Sequence, residues 1–106
     1  MSFTIKQNDT SPSIQATLKD ASGSAIDLSG ANVSFHMKPL SGDIKVDSSM
    51  TITDATNGVV RYDWQSTDTD TVGTYLVEFE VTYSDNSVET FPNNRNLVVN
   101  VVRQLN

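Results

Sequence analysis

The sequence predicts an all-β sandwich of about seven to nine short antiparallel strands. Three observations carry this expectation. Residues 73–83 place Tyr75, Val77, Phe79, Val81 and Tyr83 on one side of an extended chain and Leu76, Glu78, Glu80 and Thr82 on the other, the period of two that marks a half-buried strand. Short alternating segments recur along the chain, punctuated by clusters of Gly, Pro, Asn, Asp and Ser that favour turns. No segment carries apolar residues at helical spacing over two or more turns, so no long helix is expected.

Taken in order, Phe3 and Ile5 alternate with Thr4 and Lys6 as a first short strand. Residues 7–12 form a turn cluster, and Pro12 suits the first position of the next strand. Ile14, Ala16 and Leu18 alternate with polar neighbours over 14–19, and 20–24 turn the chain. In the irregular stretch 26–31, Ile26 and Leu28 are read as plugs closing one end of the core, with Gly30 taking a backbone conformation that other residues resist. Val33, Phe35 and Met37 define a third strand ended by Pro39. A short edge strand is expected at 44–47, where Lys45 would blunt the exposed edge, and another brief strand at 50–53. Asn57-Gly58 is a strong hairpin dipeptide leading into 59–64, where Val60, Tyr62 and Trp64 face one way. Residues 65–72 read as a polar loop. After the long strand come a turn at 84–87, a strand at 88–91, a break at 92–94 and a last strand at 97–102.

At 106 residues a single domain spanning 1–106 is expected. A hydrophobic fraction of 37% with regular alternation excludes disorder. No apolar run approaches membrane-spanning length, and residues 1–6 carry no charged segment followed by an apolar one, so neither a membrane span nor a secretory signal is expected. Cysteine is absent, which removes disulfides from the stability argument. The net charge of −6 argues against a phosphate-backbone partner.

One local pattern narrows the fold. Asp70-Thr-Val-Gly-Thr-Tyr75 sets a turn, a glycine and then a tyrosine at the start of the long strand. This resembles the tyrosine corner of immunoglobulin-like sandwiches, in which that hydroxyl bonds back to the upstream backbone. Val77 stands where antibody domains carry cysteine, and Trp64 departs from their Cys-Trp-Cys spacing, so the antibody family proper is excluded.

Candidate chemistry is sparse. His36 is the only histidine, lies on the polar face of its strand, and is read as an exposed or interface residue rather than a catalytic one. No glycine-braced nucleophile elbow appears, zinc lacks a ligand set, and Glu78 with Glu80 reads as a solvated strand face rather than a glycosidase pair. Calcium at Asp68 and Asp70, with Asp9 or Asp54 nearby, is weighed against a solvated loop, and the solvated loop is preferred because calcium needs about six to eight oxygens. Tyr62, Trp64, Tyr75, Phe79 and Tyr83 are read as core aromatics in preference to a carbohydrate platform. No catalytic, cofactor or metal residue is assigned. The segment 97–102 is apolar on both parities except at Asn100. A small sandwich buries one set, so Val98 and Val102 are candidate protein-interface residues, joined by Lys45 on the expected edge and Phe3 on the terminal strand.

The segments Ile5-Lys-Gln-Asn-Asp-Thr-Ser-Pro-Ser-Ile14, Ala25-Ile-Asp-Leu-Ser-Gly-Ala-Asn-Val-Ser-Phe-His-Met-Lys38 and Gly58-Val-Val-Arg-Tyr-Asp-Trp64 resemble, in order, the N-terminal domain of phage baseplate upper proteins. Asp68-Thr69, Gly73-Thr-Tyr75 and Glu78-Phe-Glu-Val81 continue the likeness over nearly the whole chain. The resemblance implies an immunoglobulin-like sandwich acting as a non-enzymatic structural or docking module of a tailed-phage virion, made in the host bacterial cytoplasm. Its partners would be other virion proteins, with the chain homo-oligomeric or multicopy in the particle. Baseplate upper proteins usually continue into helical and receptor-binding regions, whereas this sequence stops at Asn106; a head-decoration, neck or tail-adaptor protein of the same fold is therefore an alternative. A carbohydrate- or calcium-binding module is a second.

Overall fold

The computed structural model describes residues 2–92 and 97–105. The described chain forms nine strands: β1 (Ser2–Lys6), β2 (Ile14–Thr17), β3 (Asn32–Pro39), β4 (Val46–Ser49), β5 (Thr51–Asp54), β6 (Val59–Tyr62), β7 (Gly73–Thr82), β8 (Val88–Phe91) and β9 (Leu97–Val102). They build a six-stranded sheet in the order β1-β9-β7-β3-β4, with β8 also paired to β7, and a three-stranded sheet in the order β2-β6-β5. The second sheet has the B-E-D order of an immunoglobulin sandwich and β9-β7-β3 its G-F-C order, with β4 in the additional position of variable-type domains.

The long alternating strand sits where its pattern requires. β7 is flanked by β3 on one side and by β8 and β9 in succession on the other, so it must bury one face completely. Tyr75, Val77, Phe79 and Val81 do so, together with Val33 and Phe35 of β3, Ile14, Leu18, Tyr62 and Trp64. Every residue of this expected core is buried because parity alone decides which side of a strand faces the opposite sheet. An aromatic cluster joins the two sheets. The Phe35 and Tyr62 rings stack at 4.2 Å, Trp64 meets both edge-on, and its indole N–H donates to the Pro12 carbonyl at 3.1 Å. Leu28 is buried and Ile26 half-buried, closing the far end as expected.

Four expectations are corrected. The pairing is not wholly antiparallel: β1 runs parallel to β9, Phe3 opposite Val99 and Ile5 opposite Val101, because the two terminal strands pair with each other. The edge strand is Val46–Ser49 rather than 44–47; Val46, opposite Met37, is the residue that turns inward, and Ile44 is exposed. The second strand begins at Ile14, two residues after Pro12. It stops at Thr17, where Leu18 leaves the ladder to bond the Gly58 carbonyl. Of the break expected at 92–94, residues 93 and 94 lie outside the described residues.

Turns at the end opposite Tyr75 share one chemistry. Asp20, Asp27 and Asp85 each accept both the backbone N–H and the hydroxyl of the serine two residues on. The Asp side chain thereby replaces a backbone turn bond, and the serine hydroxyls hold all three carboxyls below the usual carboxylate range.

Candidate protein interface

The outer face of the six-stranded sheet is set by the other parity of the same strands. Val98, Asn100 and Val102 of β9 stand there beside Thr74, Leu76, Glu78 and Glu80 of β7. Val98 and Leu76 are cross-strand partners and half-buried; Val102 is exposed. No described strand lies over this face. It divides along the strands. Toward the start of β7 it is apolar, with Val98, Leu76, Val102 and the exposed Val72, flanked by Lys6 and Lys38. Toward the end of β7 it carries Glu78, Glu80, and His36, whose Nε2 lies 3.2 Å from Asp47 Oδ1. Val72 also joins two shallow grooves at the sheet's end, one shared with Ile44 and Pro39 and one with Val102 and Arg103.

The four candidate interface residues do not form one surface. Val98 and Val102 share the outer face. Phe3 has the inward parity of Ile5 and leans on Trp64, with ring centroids 5.9 Å apart; the parallel pairing to β9 decides this. Lys45 precedes β4, and its ammonium is held 2.7 Å from Asp70, which together with the Thr71 hydroxyl keeps the Asp70 carboxyl below its ordinary range. Sequence reasoning missed Val88, 57% exposed, and Val72. The signal for Val72 was its parity with Thr74 and Leu76; Val88 is a lone valine among polar residues and carried none.

The segment 65–72 is solvated in part: residues 65–67 and 70–72 are exposed. Asp68 and Thr69 are buried. Asp68 Oδ2 accepts the Tyr62 hydroxyl at 2.5 Å and the Gln65 N–H at 2.8 Å. Thr69 donates to the Asp9 carbonyl, and its own carbonyl accepts the Asn8 N–H. Gln7 reaches the Asp70 carbonyl. The Tyr75 hydroxyl donates to the Thr71 carbonyl at 2.6 Å, the tyrosine corner expected from the sequence. Asp68 therefore points into the core and Asp70 out to Lys45, so the two carboxylates do not converge on a common cation. Among the described residues no three His, Cys, Asp or Glu side chains do so. Tyr62, Trp64, Tyr75 and Phe79 are buried as core aromatics rather than spread on a ligand platform.

The family model described as the BppU N-terminal domain matches residues 2–105. None of the curated proteins matches the chain at a significant level.

Proposed function

This chain belongs to the BppU N-terminal domain family, the domain of phage baseplate upper proteins, and from that membership we propose that it is a non-enzymatic structural or adaptor component of a phage virion, placed in the baseplate or tail. It works by contact with other virion proteins. The observation that carries this reading is the uncovered outer face on which Val98, Leu76, Val102 and Val72 are brought together. A strand apolar on both sides needs both sides covered, and here the sandwich core covers one. Assembly in many copies lets each contact be weak while the array is stable.

The test is incorporation. Replacing Val98 and Val102 together with lysine leaves the purified chain folded, since both side chains point away from the core, and stops it joining particles when it complements a phage lacking the gene. Normal incorporation of the double variant removes this face as the assembly surface. Hydrolysis of a polysaccharide by the purified wild-type protein overturns the structural reading itself.

A further inference from the structure

We propose that the occupant of the outer face is a second copy of this chain, docked face to face about a two-fold axis that crosses the strands above Val77. The inference rests on the reading of this face as an assembly surface and names its partner. Three features of the face match themselves under that one operation.

The first is the placement of two exposed valines, Val88 and Val102. β8 and β9 run in succession along the same side of β7. Val88 lies opposite Thr82, five residues past Val77. Val102, one residue beyond the Val101–Gly73 pair, lies level with position 72, five residues before it. Val88 and Val102 thus stand at equal distances from the centre in one column. Turning a second copy end over end sets each Val88 on the other copy's Val102, and Asn100 near Thr90, which pairs with Glu80 in the same column.

The second is charge. Lys38 lies opposite Leu76, just before the centre, and has no carboxylate at ion-pair distance among the described residues. Just after the centre runs the row Glu78, His36, Asp47. The same rotation carries Lys38 onto that row in the second copy, between its two carboxylates. The interface is isologous, as two-fold symmetry requires, and it uses the excess of carboxylate on one half of the face to receive the cation of the other half. A two-fold axis running along β3 would instead set Lys38 on Lys38, and one along β7 would set Glu78 on Glu78, a like-charge arrangement that costs affinity in either case.

The third is size. The sheet order places five strands side by side and β7 runs for ten residues. The flanking strands are shorter, so at about 4.8 Å between strands and about 3.3 Å per residue the six strands together give a face of about 590 Å² per partner, the lower end of specific interfaces.

The absence of cysteine allows a direct test on the full purified chain. Because sheets packed face to face lie about 10 Å apart, beyond direct disulfide reach, Val88→Cys and Val102→Cys variants mixed with a short bismaleimide form a cross-linked heterodimer, while each variant alone gives at least about tenfold less covalent dimer. In sedimentation experiments the wild type dimerises with concentration, and more weakly at high salt. Lys38→Glu weakens the dimer about tenfold or more; adding Glu78→Lys restores it. A wild-type chain that stays monomeric to millimolar concentration, equal cross-linking in the single variants, or a failure of Glu78→Lys to rescue Lys38→Glu overturns the proposal. Outer-face variants that lose dimerisation yet join particles normally keep the second copy as partner and remove the face as the assembly surface; outer-face variants that fail to join particles while still dimerising keep the assembly surface and remove the second copy as its occupant.

Discussion

The Tyr62 hydroxyl donates to the Asp68 carboxylate, joining the end of β6 to the middle of the loop that crosses to the opposite sheet. A buried carboxylate is tolerated only when its lone pairs are filled, and here the Gln65 N–H supplies a second donor. Removing the phenol leaves Asp68 Oδ2 with the Gln65 N–H as its one partner in a largely buried residue. Tyr62→Phe is therefore expected to cost about 1.5–3 kcal/mol, the range for hydrogen bonds to charged groups, read from urea unfolding. Asp68→Asn keeps an acceptor for the tyrosine and is expected to cost less; an equal or larger loss would show that the charge rather than the bond matters.

Tyr75 ties the other side of the same loop, through Thr71. Its ring is buried and stays packed when the hydroxyl is removed, so Tyr75→Phe is expected to cost only about 0.5–1.5 kcal/mol with an unchanged fold by circular dichroism. An unaltered unfolding midpoint would mean the corner bond adds nothing to stability.

These two residues mark what the sequence made legible. Alternation in residues 73–83 announces a strand and its inward side, because period two is a property of the local chain. The tyrosine corner was legible because donor and acceptor lie four residues apart. The burial of Asp68 was not, since its loop is polar by composition and is held by Tyr62, Asn8, Asp9 and Gln7, most of them distant in sequence. The same limit hid the face of Phe3, which depends on parallel pairing with β9. Val98 and Val102 were found on the outer face because the core can take only one parity of β9.

Gly58 couples the β5–β6 hairpin to the irregular stretch that precedes β3. Its φ is +68°, and an added Cβ would lie 2.7 Å from the Ile26 carbonyl oxygen and 2.8 Å from that of Leu18. Both atoms belong to the backbone and cannot rotate away. Gly58→Ala is expected to cost more than the ~1–3 kcal/mol of a left-handed non-glycine residue alone, with thermal unfolding as the readout. Gly23 is a control: its φ is +89° with nothing within 4 Å of the added Cβ, so Gly23→Ala tests the backbone term without the clash. Equal losses at the two sites would exclude a role for close approach at Gly58.

Stability at alkaline pH should report the buried phenol directly. Burial first, and the Asp68 carboxylate second, raise the pKa of Tyr62 well above the ordinary 10. Burial and then Glu89 push Tyr83, whose hydroxyl donates to Glu89 at 2.8 Å, up to about 12. An unfolded tyrosine releases its proton near pH 10, while the folded chain still holds both. Above that pH the unfolded state therefore binds fewer protons, and stability must fall as pH rises. The stabilisation from each raised pKa is fully present below pH 10 and is lost as pH climbs toward the folded value, so for Tyr83 the loss spans about pH 10 to 12 and for Tyr62 it continues further. The expected outcome is a wild-type unfolding midpoint that declines steadily from pH 9.5 to about pH 11. Tyr83→Phe should remove part of that slope and Tyr62→Phe a further part, although Tyr62→Phe is the less stable protein at pH 7. A Tyr62→Phe variant that keeps the full wild-type slope would mean that its phenol is not held protonated by the core, and the Asp68 bond would lose its explanation.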